Sequence, residues 1–240
     1  MLVDSCTVNA STSARAVARR ELTQAITAEA RSQIAQHGAD GLSLRAVARA
    51  LGLASSALYR YFPSRDDLLT ALIVEAYTAL GDALEAADAS FGRDDVSGRF
   101  AAVCRAARGW AVAHPQEYAL IYGSPVPGYR APQATIDPAA RIPIAVFRPQ
   151  LDGWRAGVVN MPDDLPLTAG LTGQLEAVAA AVAPDLPPAM VGAAIRVWIQ
   201  LFGMISFELF GHLVGSMDPA DEFFEHEIAA MAARLGLPAR

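Results

Sequence analysis

The sequence predicts an all-α fold in two parts, and three observations support this prediction. Apolar residues recur at helical spacing between residues 22 and 34. Two short amphipathic helices with a tight turn between them are indicated from residue 42 to residue 67. A long segment, residues 188–214, is apolar nearly all round. The expected parts are a disordered tail (1–14), a three-helix domain (15–63) and a helical body (64–240).

The segment from 42 to 67 contains two helices that share one apolar core. The first helix carries an apolar stripe of Leu44, Val47, Ala48 and Leu51. Ser43 is its natural cap, and Gly52 ends it. In the second helix, residues 55–61, Leu58 and Phe62 form an i, i+4 pair that can pack on the first. Two helices joined by so short a turn form a helix-turn-helix.

The second helix leaves a small polar surface opposite its apolar pair. Ser56 and Arg60 point away from the core, with Ala57 and Tyr59 on the flanks. Small side chains at a helix N-terminus let the backbone approach a nucleic acid, and Arg60 or Tyr59 can reach a base edge or a phosphate. A plain helical hairpin explains each helix alone, but the combination favours a DNA-binding unit.

These residues resemble the N-terminal DNA-binding domain of TetR-family transcriptional repressors. The similar stretches are Ala46-Val47-Ala48, Gly52-Leu53, Ala57-Leu58-Tyr59-Arg60-Tyr61-Phe62 and Ser64-Arg65-Asp66-Asp67-Leu68-Leu69. By this resemblance the positions expected to touch DNA are Ser43, Arg45, Ser55, Ser56, Tyr59, Tyr61 and Arg65. Arg60 is added because of its place on the polar surface. Many members have a Ser or Thr cap followed by Lys-Gly, whereas this chain has Ala54-Ser55-Ser56, so one phosphate-binding cation is absent and Ser55 is the expected cap.

Charge is distributed unevenly along the chain. The formal net charge is -6, yet residues 1–65 carry eight arginines against four acidic residues, a net +4, which leaves −10 for the remainder. A basic N-terminal part on an acidic body is typical of a protein whose N-terminal part attracts DNA phosphates and whose body does not bind nucleic acid. Arg15, Arg19 and Arg20 indicate an arm that touches the DNA backbone.

Cysteine content and hydropathy favour a cytoplasmic protein without a membrane span. The two cysteines do not indicate a disulfide framework, and the first fourteen residues do not have the pattern of a signal peptide. The apolar stretch from 197 to 214 is interrupted by Gln200, Glu208 and His212, so a buried helix is the better interpretation.

Aromatic residues crowd one segment of the body. Ser64 followed by Asp67 predicts the start of a long helix that ends near residue 88. Further along, four aromatic side chains and one aliphatic side chain are expected close together around Pro115: Trp110, His114, Tyr118, Tyr122 and Ile121. Such side chains at a helix junction can line a small-molecule cavity, although ordinary core packing explains them equally well.

The same segment resembles the body of one TetR subgroup, in which a Trp, a His-Pro pair, a Tyr and a Gly-x-Pro follow in that order. The resemblance implies a small-molecule effector, and the aromatic residues favour an apolar or aromatic compound. The candidate effector-binding residues are Trp110, His114, Tyr118, Tyr122, Phe147, Trp154 and Phe202.

The last long helices predict a homodimer. A helix that is apolar on every face needs other helices packed against every face, and a partner subunit can provide some of them. TetR-like bodies dimerise through their last two long helices as a four-helix bundle, here expected at 168–182 and 188–214. Two-fold symmetry then presents two recognition helices about 34–36 Å apart on a palindromic operator. Pro143 and Pro149 predict a short or bent helix earlier in the body.

These patterns together predict a TetR-type DNA-binding transcriptional regulator, a repressor that a small-molecule effector releases from double-stranded operator DNA. The alternative is a helical small-molecule-binding protein or enzyme without operator binding. No nucleophile elbow, Gly-rich phosphate loop or metal-spaced His/Cys set is present, so catalytic residues, cofactors and metals are not expected. A third possibility is a redox sensor that uses Cys104, and the Glu222/His226 pair is expected to be solvated surface.

Overall fold

A computed structural model describes residues 5–161 and 166–239, with the backbone alone described for residues 5–13. Within these residues the chain forms ten α-helices and no β-strand, which confirms the all-α prediction. The helices are α1 (Ser5–His37), α2 (Leu44–Ala50), α3 (Ser55–Leu58), α4 (Arg65–Ala89), α5 (Val96–Ala113), α6 (Pro115–Tyr122), α7 (Ile136–Arg155), α8 (Ala169–Val182), α9 (Pro188–Leu209) and α10 (Asp221–Arg234).

The helices divide into two compact units. The N-terminal unit contains the chain up to Ile73 together with Ser124–Pro132, and the C-terminal unit contains Val74–Gly123 and Gln133–Arg240. The first part of α4 and the connection that follows α6 therefore belong to the N-terminal unit, although the sequence places both in the body. A hydrogen bond joins these two segments, because the hydroxyls of Thr70 and Tyr129 lie 2.9 Å apart.

In the N-terminal unit, α1 and α3 both pack against α2. Ile26, Val47 and Leu58 are fully buried, as the predicted apolar stripes require. Ser43 caps α2 by accepting a hydrogen bond from the Ala46 N–H, and Gly52 adopts a positive φ of 66° just after α2. The turn predicted between the helices therefore forms as expected.

Helix α1 begins earlier than the sequence indicates. The expected disordered tail covers residues 1–14, but the backbone is helical from Ser5 onward. Residues 1–4 lie outside the described part of the chain. The polar Ser/Thr-rich composition favoured disorder over helix there, whereas the backbone continues the helix in the N-terminal direction.

The C-terminal unit is built around α5, which packs against α7, α9 and α10. Its core contains fully buried large side chains from four helices, among them Phe100, Tyr118, Ile142 and Leu201. One ion-pair network lies inside: the Arg99 guanidinium bonds Asp88 at 2.8 Å and Asp152 at 2.7 Å. Since two carboxylates share one buried cation, this network joins α4, α5 and α7.

The lengths of α7, which was predicted to be short or bent, and of α9, which was predicted to run to about residue 214, can be compared with the structure. Pro143 and Pro149 both lie inside α7, which nevertheless has 20 residues, so it is not short. Helix α9 ends at Leu209 and not near residue 214. Gly211 adopts a positive φ of 79°, and the His212 N–H bonds the Phe207 carbonyl at 2.8 Å, which closes the helix with a Schellman motif.

Candidate functional site

The exposed surface of the helix-turn-helix lies opposite the buried Leu58 and Phe62. Helix α3 spans four residues, and a hydrogen bond of 3.1 Å from the Phe62 N–H to the Leu58 carbonyl continues its winding. The predicted polar residues of this segment are exposed: Ser55, Ser56, Tyr59 and Arg60. The N-cap of α3 is Ala54, so the prediction that Ser55 is the cap is wrong. The Ser55 hydroxyl therefore does not cap α3.

Two predicted contact residues lie at the start of α2. Ser43 is exposed, and its hydroxyl accepts the Ala46 N–H at 3.4 Å. Arg45 is exposed on the first turn. The Ser43 N–H also donates to Oε1 of Gln33 on α1 at 3.5 Å, which orients α2 against α1. Ser43 therefore has a structural role whether or not it touches DNA.

Tyr61 and Arg65 are half-buried and already have partners within the N-terminal unit. The Arg65 guanidinium donates to the Ala39 carbonyl at 2.8 Å and lies 3.6 Å from the Asp66 carboxylate. The Tyr61 ring lies under the Arg19 guanidinium, 5.3 Å from its centroid. These contacts fix the segments before α2 and after α3, so both residues also position the exposed surface.

An aromatic cluster in the C-terminal unit contains three of the seven predicted effector residues. The cluster comprises Tyr77, Tyr118, Tyr122, Phe202 and Phe210. The closest rings are those of Tyr122 and Phe202, which stack with centroids 4.3 Å apart. Tyr118 stacks on Tyr122 at 5.3 Å.

The hydroxyl of Tyr118 is satisfied within the cluster. It donates to the Phe202 carbonyl at 2.9 Å and lies 2.8 Å from Oγ of Ser206. Burial raises the pKa of Tyr118 to about 12, although the hydrogen bond to Ser206 opposes this shift. The group is therefore a neutral donor at physiological pH.

Tyr122 and Trp198 together form the polar edge of the cluster. Burial raises the pKa of the Tyr122 hydroxyl, and the neighbouring Trp198 indole lowers it by a smaller amount. Nε1 of Trp198 is buried and lacks a hydrogen-bond partner of good geometry among the described residues. A buried indole N–H without a well-placed acceptor costs free energy, which a bound acceptor would recover.

The other predicted effector residues lie elsewhere. Trp110 stacks on His114 with centroids 5.1 Å apart, and Nδ1 of His114 lies 2.9 Å from the Trp110 carbonyl. Phe147 is buried in the core of the C-terminal unit, and Trp154 packs against that core. The ring contacts of the described residues do not join any of these four to the aromatic cluster.

Sequence reasoning missed Tyr77, Trp198, Ser206 and Phe210 as members or neighbours of the cluster. A usable signal exists for three of them, because residues 198, 202, 206 and 210 recur at four-residue steps along one face of α9 and the residue that ends it. Tyr77 comes from α4, far away in sequence, and its hydroxyl donates to the Ile121 carbonyl at 3.4 Å.

Among the described residues of the C-terminal unit, two of the surface cavities are lined by residues other than the predicted effector residues. A cavity of about 390 Å³ lies against α5, α10 and residues 237–239, with Ala101 and Ile228 on its wall. A second cavity of about 500 Å³ is bounded by charged side chains, including Arg93 and Arg148. The predicted effector residues do not line either cavity.

The thiol of Cys104 is poorly suited to redox sensing. It is fully buried, and burial raises its pKa, which keeps it protonated and unreactive. Glu222 and His226 are both exposed on α10, and the described residues do not gather three metal-ligating side chains there.

Helix α9 is long and apolar enough to cross a membrane by length and composition. Half of its apolar window is buried within the described chain. The core helix of a soluble protein has the same properties, so this feature is weak evidence for a membrane span.

Comparisons with known proteins agree with the geometry of both units. The family model described as "Bacterial regulatory proteins, tetR family" matches residues 26–72, and the one described as "Tetracyclin repressor-like, C-terminal domain" matches residues 100–231. The HTH-type transcriptional regulators Rv1816 of Mycobacterium tuberculosis and Mb1846 of Mycobacterium bovis are each 39% identical over 209 residues, which is 86% of this chain and 89% of the relative. The chain belongs to the TetR family of transcriptional regulators.

Solved structures support this membership. The crystal structure of SCO4313 has 34% sequence identity and a TM-score of 0.74, covering 90% of this chain and 97% of that one. A protein of unknown function from Rhodococcus sp. RHA1 has 25% identity and a TM-score of 0.69, covering 90% and 95%. As a TetR-family regulator, the protein carries its DNA-binding helix-turn-helix in α2 and α3.

Proposed function

We propose that this TetR-family regulator is a cytoplasmic homodimeric repressor that binds a palindromic operator and is released by a small-molecule effector. The observation that carries the proposal is the exposed polar surface of α3 on a basic N-terminal unit. Residues 1–65 have a net charge of +4, so duplex DNA is attracted to this end of the chain.

The residues of the surface divide into contacting and positioning roles. Tyr59 is 42% exposed and, with Arg60, has the reach to touch base edges in the major groove. Ser55 and Ser56 are small enough to let the backbone approach a phosphate. Arg65 acts through position, because its guanidinium is bonded to the Ala39 carbonyl.

The dimer interface is proposed on α8 and α9. Leu171 of α8 and Ile199 of α9 are 42% and 62% exposed, which is unusual for large apolar side chains on two neighbouring helices. A partner subunit that packs its own α8 and α9 against them would bury both. The resulting two-fold symmetry would match a palindrome whose half-sites are about 34–36 Å apart.

The effector is proposed to bind at the aromatic cluster. Its rings favour a planar or apolar compound, and the buried Nε1–H of Trp198, which has no acceptor of good geometry among the described residues, favours one that carries an acceptor oxygen. Tyr122 is the last residue of α6, so a compound that separates Tyr122 from Phe202 would displace the end of that helix.

The segment of chain that follows this site leads directly into the N-terminal unit. The connection Ser124–Pro132 directly follows α6 and belongs to the N-terminal unit, where Tyr129 bonds Thr70 of α4. A coupling free energy of about 1–3 kcal/mol along such a route weakens operator binding about 5- to 150-fold. No larger change is needed to release a repressor.

The test begins with selection of a duplex from a randomised library by the full-length protein. A palindrome should be enriched and bound in a salt-sensitive manner; failure to enrich a sequence would refute the proposal. A panel of small aromatic acids and ketones is then added to the complex.

Compounds that raise the melting temperature of the protein should also release the duplex, and Trp198→Phe should weaken that response. The equivalent change at Trp154 decides whether α7 also contributes. If the compounds that stabilise the protein leave the complex intact, effector release through this site is wrong.

A further inference from the structure

Residues 14–21 of α1 carry an exposed basic surface outside the helix-turn-helix. Every one of these residues is exposed, and the next buried residue along the helix is Ile26. Within this stretch Arg15, Arg19 and Arg20 form no ion pair among the described residues. No acidic residue stands three or four positions from any of them, so α1 itself does not neutralise their charge.

The geometry links one side of this surface to the end of α3. The Arg19 guanidinium lies 5.3 Å from the centroid of the Tyr61 ring, which comes three residues after α3. Arg15 is one helical turn further toward the N-terminus on the same face, about 6 Å along the axis. Arg20 is rotated by about 100° from Arg19 and faces elsewhere.

Arg15 and Arg19 form a pair of like charges at i, i+4, which is slightly destabilising in an isolated helix. A phosphate relieves that repulsion and accepts bidentate hydrogen bonds from a guanidinium. Tyr61 presents Arg19 beside the segment that is proposed to enter the groove, so the phosphates flanking that groove are the nearest available anions.

We propose that Arg15 and Arg19 form a phosphate-binding face on α1 that clamps the duplex backbone beside the recognition helix. The inference rests on the proposed function, because it requires that α3 binds DNA. The contacts are to phosphate and not to bases. They add affinity for every duplex sequence and leave the choice of operator to α2 and α3.

The experiment measures the salt dependence of binding by fluorescence anisotropy. Two duplexes are used: the one selected from a random library by the full-length wild type, and a scrambled duplex of the same composition. The test variant is Arg15→Gln/Arg19→Gln, since glutamine removes the charge and keeps the helix propensity of arginine. Arg93→Gln is the control, with the same chemical change at an exposed arginine of the C-terminal unit that is not assigned to DNA binding.

The slope of log affinity against log salt should fall in the double variant. Each lost phosphate contact contributes about 0.9 to the slope, so the four arginines of a dimer should lower it by about three to four. Affinity for the two duplexes should fall by the same factor, which leaves their ratio within about twofold of the wild-type value. Arg93→Gln should keep the wild-type slope.

A double variant with the wild-type slope, or with a slope no lower than that of Arg93→Gln, overturns the inference. A selective loss of the chosen duplex also overturns it, because the residues would then read bases. Failure of the wild type to select any duplex refutes the proposed function itself, which separates the two claims. Circular dichroism melting of each variant verifies that α1 remains folded.

Discussion

Tyr118→Phe removes a single hydroxyl from a fully buried position in the aromatic cluster. That hydroxyl lies 2.9 Å from the Phe202 carbonyl oxygen and 2.8 Å from Oγ of Ser206. Its loss leaves buried polar groups without a partner, so the free energy of unfolding at pH 7 should fall by about 1–3 kcal/mol.

The loss of unfolding free energy in Tyr118→Phe should depend on pH. It should shrink as the pH rises, because the pKa of Tyr118 is raised in the folded protein. Burial raises the pKa of Tyr118 from its ordinary value of 10.0 to about 12. The hydroxyl therefore ionises first in the unfolded chain, and its stabilising contribution is complete below pH 10 and lost as the pH approaches 12. At pH 11 about 1.4 kcal/mol of it should be gone, and the deficit of the variant should shrink by that amount.

Urea denaturation at pH 7, 9, 10 and 11, followed by far-ultraviolet circular dichroism, measures both quantities. The chain has no lysine, and the groups that do titrate around pH 9 to 11, the other five tyrosines and the two cysteines, are the same in wild type and variant, so their contributions cancel in the difference. Tyr59→Phe is the matched control, because its side chain is 42% exposed and its hydroxyl should contribute little to stability. The reasoning would be refuted if the difference in unfolding free energy between wild type and Tyr118→Phe stayed constant from pH 7 to 11, or if there were no difference at pH 7.

Three more changes test other parts of the structure. Arg99→Met should lower the free energy of unfolding by about 3–5 kcal/mol in urea titrations, because it leaves the buried Asp88 carboxylate without its cation. As a control, Arg105→Met should lower it by at most about 1 kcal/mol, because the Arg105 side chain is half-exposed. Gly52→Ala should cost about 1–2 kcal/mol in the same assay, because φ is 66° there, and an unchanged stability would contradict that geometry. Ile199→Asp should convert the proposed dimer to a monomer in sedimentation velocity, and an unchanged sedimentation coefficient would count against α9 as the interface.

The features that the sequence predicted well are those set by neighbouring residues. Ser43 caps α2, Gly52 ends it, and the Ser64 hydroxyl caps α4 by accepting the Asp67 N–H at 3.1 Å. Each of these depends on contacts within about four positions, which a local pattern contains in full. The buried and exposed faces of the helix-turn-helix follow from the same helical period.

The features that were missed depend on contacts between distant segments or on weak local preferences. Tyr77 joins the aromatic cluster from α4, and no periodicity relates it to Tyr122 or Phe202. Trp154 was placed with the effector residues by its chemistry, but it packs against the main core of the C-terminal unit. The early start of α1 was missed because a Ser/Thr-rich composition is a poor guide to where a helix begins.

The central claim is that the exposed surface of α3 recognises DNA, and substitution of that surface tests it most directly. Tyr59→Ala/Arg60→Ala is compared with Arg93→Ala, which removes an exposed arginine from the C-terminal unit. Anisotropy is measured on the library-selected duplex, and melting temperatures verify the fold. The account predicts that the double variant loses at least about 30-fold in affinity, because each of the two contacts contributes about 1–3 kcal/mol, while Arg93→Ala binds as the wild type does. A folded double variant that keeps wild-type affinity for the selected duplex would contradict it.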